Sequence, residues 1–181
     1  LGFLGGASIR HIRYGGRPIK QTPTVPGTPA WGSKWKAGVV DAYQRYMTIG
    51  ISGSVMPYRD AYLDLDPTYR DANGLPLMRM TFDWHDNEYA MLDYMGTRME
   101  EVAKAMKPEA YYKAIRKKGQ HYDTRVYQST HTTGGAVMGS SPETSVVNKY
   151  LQSWDVHNVF VMGASAFPQN MGYNPTGLVA A

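Results

Sequence analysis

Apolar and polar positions follow two rhythms along this chain. Between Lys34 and Thr48, Trp35, Val39, Ala42 and Tyr46 recur at helical spacing, which predicts an amphipathic helix. Ile49 to Tyr58 alternates apolar with small residues and reads as a strand. Ala61 to Asp66 and Pro76 to Trp84 read as two more. The turn Asp71-Ala-Asn-Gly74 separates these last two, its Asn-Gly pair supplying positive φ. Together the three predict an antiparallel meander. The helical rhythm then returns. From a cap at Asp86 or Asn87 to about Lys107, residues Met91, Leu92, Met95, Met99, Val102 and Met106 form one stripe. At this spacing methionines make a core face rather than a set of ligands. Pro108 ends the helix. A short helix is expected from Pro108 to about Lys117, and a strand from Tyr122 to Tyr127. Further on, 158–162 reads as a buried strand and Gly163-Ala164-Ser165 as a small-residue turn. Asn174 then suits the N-cap, and Pro175 the first turn, of a closing helix.

The ends of the pattern are less regular. Leu1 to Ser8 is rich in small residues but lacks the G-x-G-x-x-G that would follow a strand and open a helix, so the dinucleotide fingerprint is absent. His11 and Arg13 fit the polar face of a strand. Residues 15 to 33 carry Gly15-Gly16, Pro18, Pro23, Pro26-Gly27 and Pro29, and predict an extended loop or lid. Trp31 and Trp35 are expected as packing anchors. There are no internal repeats. The fold class this implies is α+β, with an antiparallel sheet backed by helices over roughly 30–128. Residues 1–29 and 129–181 look like pieces of another domain that this middle region interrupts.

Composition narrows the classes. The 181 residues suffice for one sizeable core. With 43% hydrophobic and 19% charged residues, the chain is neither disordered nor membrane-spanning. The net charge of +4 is spread out. The one tight basic run, Arg116-Lys117-Lys118, is expected to cap a helix end, so no nucleic acid is expected as partner. The absence of cysteine excludes disulfides and thiolate chemistry within these residues. The acids Asp60, Asp64, Asp66 and Asp71 lack calcium-loop spacing and its closing Glu, and no metal site is expected.

The candidate chemistry lies near the end. Ser129-Thr-His-Thr-Thr-Gly-Gly sets His131 among threonines ahead of a glycine pair, where backbone can approach a flat ring closely. A histidine in such a loop suits proton transfer near neutral pH. A satisfied structural histidine is the other reading. His85, His121 and His157 lack such context and read as surface or core residues.

Two motifs, "THTTGGAVMG…P…SVVN" and "NVFVMGASAFPQNMGYNPTG", together resemble the C-terminal signature of the glucose–methanol–choline (GMC) flavoprotein oxidoreductases. The likeness is strongest to the branch of gluconate 2-dehydrogenase and other sugar dehydrogenase large subunits. It implies that His131 takes the hydroxyl proton and that Asn174 orients the alcohol. It implies FAD as cofactor, met by Gly163, Ala164, Ser165, Asn174, Pro175, Thr176 and Gly177, with 129–181 returning to a Rossmann-like flavin domain. The substrate implied is a small-molecule alcohol, namely a sugar, sugar acid or polyol. The resemblance also implies a haem or quinone acceptor, a small subunit and a cytochrome c subunit. It places the complex in the periplasm, at the inner membrane through a partner. The N-terminal dinucleotide-binding unit is missing, so the chain is expected to be a C-terminal part, inactive alone. An oxidase of the same family, or a non-catalytic scaffold derived from it, are the alternatives.

Overall fold

A computed structural model describes residues 1–12, 24–43, 45–127 and 129–180. Arg13 and much of the loop expected at 15–33 lie outside the described residues. The elements in order are β1 (Ala7–Ile12), α1 (Gly32–Ala42), β2 (Thr48–Gly53), β3 (Tyr62–Arg70), β4 (Pro76–Thr81), α2 (Asp86–Ala105), a 3₁₀ turn (Ala164–Ala166) and α3 (Thr176–Ala180). The mixture is α+β. β2 pairs with β1, while β3 pairs with β4, so among the described residues two two-stranded sheets stand where one meander was expected. After Gly53 the chain turns away to other partners. Ser54 N–H donates to Gly6 O (2.8 Å), and Val55 exchanges backbone bonds with Asn170. A Cβ at Gly53 would meet Met91 Cε at 2.5 Å, so a larger residue there would have to displace the tip of that side chain. Among the described residues no helix is long and apolar enough to cross a membrane.

The chain divides into two compact units. One comprises Ser8–Ser52 and Leu92–Ile115. Within it Val39 and Ala42 are buried, as the α1 periodicity predicts. Trp31 is not the expected anchor: it stands 82% exposed. The helix expected at 108–117 is absent. Lys107 adopts φ 51, which ends α2, and the following residues lie extended along that helix. They are held there by Glu100, which accepts from Tyr111 Oη and Lys113 Nζ, both at 3.2 Å. A Cβ at Gly96 would meet Ile115 Cδ1 at 3.0 Å, so the missing side chain makes room for the strap.

The other unit comprises Leu1–Ala7, Gly53–Met91 and Arg116–Ala181. Its β3–β4 hairpin pairs Leu63 with Met80 and Asp64 with Arg79, with an irregularity between Leu65 and Arg70. Asp66 causes the irregularity, because its carboxylate accepts from Thr68 and Tyr69 N–H, both at 2.8 Å. Asp71 likewise accepts from Asn73 and Leu75 N–H across the tip. The acidic run therefore makes turns and side-chain pairs, Asp64 with Arg79 and Asp60 with His85.

Two expected strands do not form in this unit. At 122–127, Asp123 nucleates a turn: its carbonyl accepts from Val126 and Tyr127 N–H, and its carboxylate from Arg125 N–H. At 158–162 there is one isolated bridge, Phe160 with Gln152. The partner segment cannot extend, because Leu151 sits at φ 63. Phe160 and Met162 are 56% and 73% exposed. The core lies at Val147 instead, which bridges both Met138 and Ser153 and is fully buried. The α2 stripe buries Met91 here, while Val102 and Met106 stay exposed.

Candidate active site

The His131 loop is clamped by its backbone. The His131 N–H donates to Ser129 Oγ (3.1 Å), and its carbonyl accepts from the Asn170 side-chain amide. Downstream, three N–H groups form a ladder onto the 3₁₀ turn: Gly134 to Ala164 O (3.2 Å), Ala136 to Ser165 O (2.8 Å) and Met138 to Ala166 O (2.9 Å). This ladder joins the two sequence motifs. Gly134 and Gly135 make it possible. Gly134 has φ 81, and a Cβ there would lie 3.4 Å from Phe167 O; a Cβ at Gly135 would meet Leu63 Cδ1 at 2.9 Å.

Gly163 adopts φ 91, ψ −161, a region reserved almost entirely for glycine. Its Cβ position lies 3.9 Å from Val179 Cγ1, so the turn also touches α3. The carbonyl of Pro175 accepts from Leu178 N–H (2.9 Å) and Val179 N–H (3.0 Å). The cap of α3 is therefore Pro175, one residue later than expected, since its fixed φ and free carbonyl suit that place. Asn174 precedes it and is exposed, as is the His131 side chain. Among the described residues no hydrogen bond joins these two side chains. The first-turn N–H groups of α3, at Thr176 and Gly177, belong to exposed residues, and a Cβ at Gly177 would meet nothing within 4 Å. Backbone here is open to a flat ligand, and the small residues at 163–165 leave room for a narrow one. The residues fit a flavin in that respect. A pocket of about 430 Å³ opens at the other end of the ladder, by Met138, Gly139, Asn148, Tyr150 and Trp154, and none of these candidate residues lines it.

The structure also assigns residues that the sequence pattern passed over. Asn170 holds the His131 loop while its backbone pairs with Val55, and no periodicity marks it. Glu88, 1% exposed, stands at the third position of α2 and reaches back to the His85 N–H (3.2 Å). His85 is thus the helix cap, because its carbonyl accepts from Tyr89 N–H. Asn87, an expected cap, instead binds the backbone of Leu4 through both amide atoms. Two imidazoles face carboxylates: His85 with Asp60 (3.0 Å) and His121 with Asp83 (2.5 Å). The basic run ends no helix, and Lys118 pairs with Asp86 (2.7 Å).

The hydrogen bond from His121, then the Tyr122 and Trp84 N–H groups, holds the Asp83 carboxyl down at about 2, against an ordinary 3.8. A depressed carboxylate stabilises the fold above its unfolded value, and that contribution fades as pH falls through the folded value. Asp83→Asn should therefore flatten the stability curve between about pH 4 and pH 2. Acid denaturation followed by circular dichroism checks this; an unchanged slope contradicts it.

A family profile described as GMC oxidoreductase matches residues 57–181. The chain is 52% identical over 180 residues to the gluconate 2-dehydrogenase flavoprotein of Pantoea cypripedii, covering 99% of this chain and 29% of that protein. It is 29% identical over 184 residues to 2-methyl-1,2-propanediol dehydrogenase of Mycolicibacterium austroafricanum, covering 99% of this chain and 32% of that protein. It is 29% identical over 129 residues to the fructose dehydrogenase large subunit of Gluconobacter japonicus, covering 70% of this chain and 22% of that protein. The chain belongs to the GMC oxidoreductase family, a family of flavoproteins. It spans about a third or less of the length of the curated relatives it matches.

Proposed function

We propose that this chain is the C-terminal part of an FAD-dependent dehydrogenase that oxidises a CH–OH group of a sugar, sugar acid or polyol. The observation that carries this reading is the backbone ladder from the His131 loop to the Gly163–Ser165 turn, within a family match that covers both motifs. His131 Nε2 or Nδ1 accepts the hydroxyl proton as the carbon gives up its hydride. The Asn174 amide, able to donate and to accept, holds the carbinol oxygen without titrating. Gly163, Ala164 and Ser165 would hold the ribityl and diphosphate portion of the cofactor. Pro175 sets the helix start, and the Thr176 and Gly177 N–H groups would face the ring and stabilise negative charge there. FAD, when bound, supplies the hydride acceptor.

In this reading 129–181 completes a Rossmann-like flavin domain together with 1–29, and 30–128 belongs to the substrate domain. Electrons leave for a haem or quinone acceptor through a small subunit and a cytochrome c subunit. The assembly works in the periplasm and meets the inner membrane through its partner. The names of the relatives, a flavoprotein and a large subunit, support the presence of further subunits. The full-length protein is expected to be yellow, to reduce an artificial dye with a sugar acid or polyol, and to form little peroxide under air. A colourless protein would overturn the reading, and peroxide in step with substrate consumption would make it an oxidase.

A further inference from the structure

Arg116 stands over two aromatic rings, 4.3 Å from the Trp84 centroid and 4.8 Å from that of Tyr127. Beneath it Phe82, Trp84, Tyr122 and Tyr127 meet edge to face, with centroids 4.9 to 5.9 Å apart. Among the described residues no carboxylate lies within ion-pair distance of Arg116. Stacking occupies the faces of a guanidinium and leaves its N–H edge, the part that grips a carboxylate with two parallel bonds. A second donor here also lacks an acceptor: the indole Nε1–H of Trp84 is buried and unpartnered. The nearby acid, Asp83, is turned away from this role. Its oxygens take His121 Nδ1 and the Trp84 and Tyr122 N–H groups. The cluster thus presents a positioned cation, an apolar floor and no anion of its own.

Its place in the chain connects it to the reaction. Tyr127, which carries Arg116, precedes His131 by four residues in the same unit, so their backbones stand at most ~14 Å apart. Side chains reaching across that span leave room for a small carbon chain between them. We propose that Arg116 binds the carboxylate of a sugar-acid substrate and selects it over the neutral polyol of equal length, an inference that rests on the dehydrogenase reading above. The aromatic floor lies against the apolar face of the carbon chain, and His131 meets the hydroxyl to be oxidised.

The test uses the full-length flavin-loaded enzyme, with a six-carbon aldonate and the corresponding alditol as probes. Arg116→Gln should raise KM for the aldonate roughly 10- to 100-fold, the value of a charge-assisted bidentate pair, with kcat nearly unchanged. KM for the alditol should not move, and Arg116→Lys should recover part of the loss. Calorimetry of aldonate binding should show the same shift without any turnover. If Arg116→Gln does not fold, the Lys variant decides, because loss of the bidentate edge alone should weaken aldonate binding and spare the alditol. Equal losses for both probes, no change for either, or a wild-type enzyme that binds no aldonate would overturn the proposal. Aldonate binding that depends on Arg116 in an enzyme with no dehydrogenase activity would support the subsite and sink the dehydrogenase reading. Brisk aldonate oxidation with unchanged Arg116→Gln affinity would do the reverse.

Discussion

Replacing His131 by alanine in the full-length protein is expected to lower turnover by roughly 10²–10⁴, the usual worth of a positioned proton acceptor. The argument rests on where the backbone holds this residue. Its N–H is taken by Ser129 Oγ and its carbonyl by the Asn170 amide, so the loop keeps its shape without the imidazole. The side chain is exposed and makes no hydrogen bond among the described residues, so its removal should cost little stability. A large fall in kcat with an unchanged melting temperature and flavin content is the expected signature. Near-normal turnover would remove His131 as the base. Loss of flavin or of stability instead would make it a structural residue.

Glu88→Ala should have the largest effect on folding, about 2–4 kcal/mol of lost stability. Glu88 is 1% exposed and anchors one end of α2. Its carboxylate accepts from the Met56 N–H (3.3 Å), the Tyr58 hydroxyl (3.0 Å), the His85 N–H (3.2 Å) and the Asn87 amide (3.1 Å). Alanine leaves these donors without their acceptor, several of them away from water. Burial, followed by the hydrogen bond and charge of Glu88, pushes the Tyr58 phenol up to about 12. A raised phenol contributes stability below its unfolded value near 10, and that contribution is lost as pH rises through about 12. In Glu88→Ala the phenol should therefore titrate lower, although burial still holds it above its ordinary value. Urea unfolding and ultraviolet titration of the phenol check the two halves. Unfolding at the wild-type midpoint would contradict the account.

The helices were legible where their pattern is long. The α1 and α2 stripes located both helices because helical spacing repeats over several turns, although α1 stops at Ala42, short of Tyr46, and Val102 and Met106 stay exposed. The hairpin tip was legible because Asn73-Gly74 after Asp71 demands one turn chemistry. Pairing was less visible, since the partner of β2 depends on Gly53 admitting Met91 and on Gly6 receiving Ser54, contacts far apart in sequence. The aromatic run 122–127 has strand composition, yet one aspartate turned it into a corner. The same corner gathers Tyr122 and Tyr127 onto Trp84, which no local spacing reveals. For the site, the motifs pointed to His131 and to the Gly163 turn, and the ladder of N–H bonds shows how the chain joins them. The clamp by Asn170 was invisible, since it links a side chain to a distant carbonyl. The paired histidines were likewise hidden, because Asp60 and Asp83 reach them only through the fold.

The central claim is that His131 and Asn174 serve one substrate oxygen. The most direct measurement is the rate of flavin reduction by substrate, without oxygen, in wild type, His131→Ala, Asn174→Ala and the double variant. Groups acting on the same hydroxyl are strongly coupled, so the double variant should be scarcely slower than His131→Ala alone. Losses that multiply independently would place the two side chains on separate tasks and contradict the account.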